Sequence, residues 1–205
     1  MAPMAYIQLA EGLKLSVDNP QPDQIPSIPT TVRALGREHR FSNQSDKDWT
    51  GLDHSLHVWR LLATTIQSTK GSRRLGLGHD LSEGIMRDLA SPYKRNAPGY
   101  KTQERLLMQR AIVPKFGLQA TPFEKAQVQW ADTQALAIEA VYCLGLGEVD
   151  LADWGFVQDE SFEPLTWPEI LRQVAYLEYF FGRADFRAQA PTTFLKLAEE
   201  EGFLC

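Results

Sequence analysis

Thiols are scarce in this chain: its 205 residues include only Cys143 and Cys205. One lies in an apolar helical pattern and the other at the last position, which excludes a disulfide framework, fits a reducing cytoplasm and offers no catalytic nucleophile. Long apolar runs are missing as well, since no stretch approaches the roughly 18 residues that span a bilayer. The first residues carry no charged segment followed by an apolar one, so a soluble, unexported chain is expected. Positive charge is in deficit: 21 Lys and Arg stand against 26 Asp and Glu, for a net charge of −5. That balance argues against non-specific binding to nucleic-acid polymers or membrane surfaces, and it requires local cations or a metal wherever a phosphorylated ligand binds. Repeats and low-complexity tracts are also lacking.

The content that remains is that of one all-α domain with a decorated N-terminus. With 43% hydrophobic residues the chain can bury one sizeable core. Residues 5 to 16 alternate around Glu11-Gly12 and predict a small hairpin, and four prolines between positions 19 and 29 predict an irregular arm, giving a boundary between 1–29 and 30–205. From Thr30 the pattern is helical, interrupted by a polar loop from Ser42 to Asp48. A helix starts near Gly51, Ser72 caps a second from about Arg73 to Asp88, and a third spans Tyr100 to Lys115. Thr121-Pro122 opens a fourth reaching about Leu144, Trp167-Pro168 a fifth reaching about Arg183, and Pro191 begins the last.

The most informative segment is His79-Asp80-Leu81-Ser82-Glu83, with His54 before it and a lone carboxylate, Asp132, after it. On a helix Glu83 follows His79 by four residues and Asp80 by three, so all three side chains can face one cavity. Asp132 sits among Val128, Trp130, Ala131, Ala135, Leu136 and Ile138, a setting in which an unpaired carboxylate costs several kcal/mol and a metal partner explains it better. Two imidazoles and two carboxylates form a nitrogen and oxygen donor set suited to Mn²⁺, Co²⁺, Zn²⁺, Fe²⁺ or Ni²⁺, with positions left for water and phosphate. Glu83 is placed to orient that water or take its proton. Lys94, Arg95, Lys101 and Arg105 follow within a dozen residues, and Lys94 and Lys101 are the preferred phosphate ligands.

The order His54, His79-Asp80, Asp132 resembles the HD-domain metal-dependent phosphohydrolases. Asp53-His54-Ser55-Leu56-His57-Val58, Asp88-Leu89-Ala90-Ser91-Pro92-Tyr93-Lys94 and Tyr100-Lys101-Thr102-Gln103-Glu104 look like segments of its YfbR-like 5′-nucleotidase branch, and Tyr6-Ile7-Gln8 through Asn19-Pro20-Gln21-Pro22-Asp23 is similar to phage members. The resemblance implies an HD helical bundle and hydrolysis of deoxynucleotides, with a triphosphate such as dATP as the preferred substrate and host cytoplasm as the setting. It leaves a 5′-deoxynucleotidase acting on monophosphates, or a nucleotide-binding regulator, as alternatives. It also implies that Asp88 is a second acid, base or sugar contact, that Arg40-Phe41 contributes to the substrate pocket, that Mg²⁺ accompanies the phosphates, and that the chain forms a dimer or larger ring. Plainer readings hold elsewhere: His57 and His39 as structural, Arg73-Arg74 and Glu199-Glu200-Glu201 as solvated, and Tyr176, Tyr179, Phe180 and Phe181 as core or subunit contact.

Overall fold

The computed structural model describes residues 5–154 and 162–203, so Cys205 lies outside the described residues. The described part is mostly helical. Strands β1 (Tyr6–Gln8) and β2 (Lys14–Ser16) form the expected antiparallel hairpin, Ile7 facing Leu15. The segment before Thr30 is not a detached arm, however: Leu15 and Ile25 belong to the hydrophobic core. Helix α1 spans Ile28–Leu35 and starts before the expected Thr30, because Pro29 in its first turn suits a position where no backbone N–H is needed.

Helix α2 (Gly51–Ala63) is buried on all sides over its first eight residues, the pattern of a helix enclosed by others. Its N-cap Thr50 and Asp53 form a reciprocal capping box, Asp53 Oδ2 accepting from the Thr50 N–H at 2.9 Å. Helices α3 (Lys70–Gly78) and α8 (Pro122–Leu144) pack against α2 and against each other. Thr121 caps α8, and Glu124 of the same box also accepts from Thr69 Oγ1 at 2.7 Å, joining the starts of α8 and α3. The remaining helices are α4 (Glu83–Met86), α5 (Ser91–Asn96), α6 (Pro98–Leu107), α7 (Val113–Phe116), α9 (Glu148–Asp153), α10 (Trp167–Phe180) and α11 (Ala184–Glu201).

Four sequence expectations are corrected. The helix expected from Arg73 to Asp88 breaks after Gly78, and Ser72 is its third residue, with Thr69 as the cap. The His79 ring Nδ1 lies 2.8 Å from the Gly76 carbonyl, and this side-chain hydrogen bond competes with continuation of the helical ladder. When the chain turns into α4, Gly84 lies so close to α1 that a Cβ would sit 3.0 Å from the Thr31 carbonyl oxygen and 3.1 Å from the Leu35 nitrogen. The third expected helix is split, with a π-helical turn at Met108–Ile112 ahead of Pro114, which has no N–H to continue an α ladder. Pro191 lies inside α11 and does not start it. Finally, Glu201 is buried and accepts from Trp59 Nε1 at 3.0 Å and Arg73 Nε at 2.9 Å, so neither Glu201 nor Arg73 is a freely solvated charge. In the aromatic stretch Phe181 is core, while Tyr179 and Phe180 are exposed.

Candidate metal centre

Three separate elements deliver the donors. His54 is the fourth residue of α2, His79 and Asp80 lie in the turn after α3, and Asp132 lies midway along α8. The donor atoms of His54, His79 and Asp80 come within 4.8 Å of one another. His54 Nε2 is 3.0 Å from Asp132 Oδ1 and 3.5 Å from Asp80 Oδ2, and His79 Nε2 is 3.4 Å from Asp80 Oδ2 and 3.7 Å from Asp132 Oδ1. Around a first-row ion with bonds of roughly 2.1 Å, neighbouring donors lie about 3.0 Å apart on an octahedron and about 3.4 Å apart on a tetrahedron. The observed separations bracket that range. His79 Nε2 is buried and makes no hydrogen bond, a polar atom whose partner the donor set itself identifies as a cation. His54, His79 and Asp80 therefore form a group that fits a divalent metal, and Asp132 stands against both imidazoles.

Both rings are held from behind. The bond to the Gly76 carbonyl requires His79 to carry its proton on Nδ1, which turns the Nε2 lone pair toward Asp80 and Asp132. His54 Nδ1 lies 2.9 and 3.0 Å from the two oxygens of Glu139, a fully buried carboxylate that the sequence reading missed. Its signal was available: Glu139 follows Asp132 by seven residues, two helical turns along one face of α8. His57 Nδ1 bonds the same carboxylate at 2.9 Å; its ring packs edge-on with Trp49 and Phe181, and its Nε2 is buried without a hydrogen bond. Burial lowers the His57 pKa against the pull of Glu139, so this ring is a neutral core residue as expected.

The charges around the donors are balanced. Burial and the Arg40 charge push the His54 pKa down, but Glu139 and Asp132 outweigh them and raise it to about 10. Burial alone would raise Asp132, and the two imidazoles instead hold it well below the usual carboxylate range. In the metal-free state protons on imidazole stand in for the cation, and metal binding must displace them. Arg40, a partly buried side chain, reaches both Asp80 Oδ2 at 3.6 Å and Glu139 Oε2 at 3.4 Å, so it braces the donors. Phe41 is half-buried against the hydrophobic core and does not line the neighbouring cavity.

Beside the donors opens a cavity of about 570 Å³, lined by His79, Asp80 and Ser82 on one side and by Lys94, Arg95, Lys101, Thr102 and Arg105 on the other. Lys94 does not stand free in it: its Nζ lies 3.1 Å from Glu83, 3.2 Å from Asp88 and 2.9 Å from Glu104. Lys101, Arg95 and Arg105 line the same cavity, and none of them pairs with a carboxylate among the described residues. Glu83 is buried, with Oε2 lacking a hydrogen-bond partner, and burial beside Asp80 and Asp88 raises its pKa to about 8 despite Arg40 and Lys94. Burial pushes Asp88 up, yet Lys94 and Arg40 outweigh it and keep it ionised. Cys143 is buried and its thiol is pushed up to about 12, consistent with an inert residue.

The sequence-derived residues thus divide in two. His54, His79 and Asp80 come together with Asp132 against both imidazoles, and Arg40 and Glu83 lie beside them; Lys94 and Asp88 form a salt-bridge group with Glu83, Lys101 stands on the cavity wall, and Phe41 stands apart. Such an arrangement can hold a divalent cation next to a proton acceptor and an anion-accepting wall. No protein-family model matches this chain, and no curated protein matches it.

Proposed function

We propose that this chain is a metal-dependent phosphohydrolase of the HD-domain kind that acts on deoxynucleotides, with a deoxynucleoside triphosphate as its preferred substrate and deoxynucleoside plus phosphates as products. The observation that carries the reading is the grouping of His54, His79 and Asp80, with Asp132 against both imidazoles, beside a buried Glu83 and a cation-lined cavity. The motif resemblance supplies the nucleotide, and the wall of unpaired cations is what a polyphosphate needs in a chain of net charge −5.

His54, His79, Asp80 and Asp132 would hold a divalent ion such as Mn²⁺, Co²⁺, Zn²⁺, Fe²⁺ or Ni²⁺. When bound it supplies Lewis-acid polarisation of the phosphoryl oxygen and offsets the charge that develops there. Glu83 works as the proton acceptor: Oε2, the oxygen without a partner, is where the proton of the attacking water is held. Lys94 fixes the other oxygen of Glu83 at 3.1 Å and keeps the carboxyl aimed. Lys101, Arg95 and Arg105 bind and orient the phosphate chain in the cavity, with any Mg²⁺ carried in on the substrate. Ser82, itself buried, lines the cavity beside His79.

The test is release of phosphate, pyrophosphate and tripolyphosphate from all dNTPs, dNMPs and NTPs by metal-stripped protein resupplied with Mn²⁺, Co²⁺ or Zn²⁺. Turnover of dNTPs that is lost in His79→Ala supports the reading. Turnover of monophosphates alone replaces the substrate class with that of a 5′-deoxynucleotidase, and nucleotide binding without turnover on any substrate assigns a regulator.

A further inference from the structure

A fully buried carboxylate is costly unless every partner is in place, and Glu139 has an unusual number of them. One oxygen receives Nδ1 of both His54 and His57 at 2.9 Å, the other lies 3.0 Å from His54 Nδ1, and Arg40 Nε stands 3.4 Å away. An ionised carboxylate only accepts, so the bonded imidazole nitrogen must be the one that carries hydrogen. For His54 this fixes which edge of the ring remains for coordination. Because α8 carries both Asp132 and Glu139 two turns apart, the helix that supplies one donor also aims another.

We propose that Glu139 is the positioning residue of the metal centre, holding His54 with Nδ1–H toward itself and the Nε2 lone pair toward Asp80, Asp132 and His79, with His57 and Arg40 fixing the carboxylate in turn. This rests on the reading of the four donors as a metal site and adds a residue that touches neither metal nor substrate. Outer partners of this kind sharpen ring orientation and ligand basicity, and their loss typically costs about 10- to 100-fold in metal affinity.

The experiment measures Zn²⁺ affinity of the metal-stripped full chain by competition with a chromophoric chelator, alongside melting by circular dichroism. Histidine ring nitrogens are also read by NMR in the zinc-loaded protein. Glu139→Gln, which keeps the shape but places an amide donor against two N–H groups and an arginine, is expected to weaken zinc about 10- to 100-fold and to erase the protected His54 Nδ1–H signal. Glu139→Asp, which keeps the charge, is expected to recover part of that affinity. Ile138→Val, a neighbouring fully buried site, serves as the packing control and should lower the melting temperature with zinc affinity unchanged. A folded Glu139→Gln that binds zinc as tightly as wild type overturns the proposal; if that variant does not fold, wild-type affinity in Glu139→Asp with a lost Nδ1–H signal overturns it. A wild type that takes up no divalent ion removes the metal reading itself, whereas wild-type binding with unaffected variants removes only the role of Glu139.

Discussion

The two halves of the candidate site are built on opposite plans. On the α2, α3 and α8 side three of the donors are braced from behind: His54 by Glu139, His79 by the Gly76 carbonyl, Asp80 by Arg40. On the α5 and α6 side Arg95, Lys101 and Arg105 are exposed side chains around an open cavity, without carboxylate partners among the described residues. Coordination tolerates errors of a few tenths of an ångström and needs rings fixed in advance, whereas long flexible cations can follow a phosphate chain wherever it lies. Lys94 joins the two plans, because its three carboxylate partners make it part of the scaffold that positions Glu83.

The largest effect should come from the braced half. His79→Ala or Asp132→Ala is expected to lower hydrolysis on the order of 10³-fold or more in steady-state assays. The same variants should lose the metal's contribution to stability: at 100-fold excess over Kd a bound ion adds about 2.7 kcal/mol. For a chain of this size that is a melting shift of roughly 5–10 °C, and chelator should remove it from wild type alone. Glu83→Gln comes next, with turnover down about 10²- to 10⁴-fold while nucleotide and metal affinities stay within about twofold. Equal losses of binding and turnover in Glu83→Gln would place this residue in the braced framework and not at the reacting water.

The open half should respond differently. Lys101→Ala and Arg105→Ala are each expected to raise KM roughly 3- to 10-fold with kcat within about twofold, since single exposed contacts to phosphate contribute modestly. A fall in kcat at constant KM would break the contrast between the halves. The smallest effect lies far from both, at the hairpin. Glu11 accepts from the Ser27 hydroxyl at 2.6 Å and the Ser27 N–H at 3.1 Å, bonds that lower its pKa to about 2. A folded pKa below the unfolded value means that the contribution is complete above about 4.5 and is lost as pH falls toward about 2. The difference in melting temperature between wild type and Glu11→Gln should therefore be small at neutral pH and vanish on acidification, with hydrolysis unchanged.

Much of the braced half was legible in the sequence and much of the open half was not. The four donors could be read because their order and spacing match a metal-binding motif and because Asp132 is a carboxylate in an apolar helix. The hairpin at Glu11-Gly12 and the starts of α2 and α8 were legible because alternation, capping residues and Pro122 are local signals. Glu139 carries the same local signal, a carboxylate in an apolar helix on the Asp132 face, but it matches no motif and its histidine partners lie 82 and 85 residues away, so the sequence names no role for it. Lys94 looked like a phosphate ligand because its approach to Glu83 and Glu104 depends on how α4, α5 and α6 fold together. The break at His79 was hidden for a related reason, since the Gly76 carbonyl is drawn off by a side chain whose orientation no periodicity reports. Pro191 was read as a helix start by a rule that holds more often than not, and here the helix runs through it.

The measurement that bears most directly on the account is calorimetric titration of Mn²⁺, Co²⁺ and Zn²⁺ into metal-stripped protein, for wild type and His79→Ala at matched pH. The account predicts one ion per chain for wild type, and His79→Ala binding that is weaker by at least about 100-fold. A wild type that binds no divalent ion, or a His79→Ala variant that binds as tightly as wild type, would contradict it.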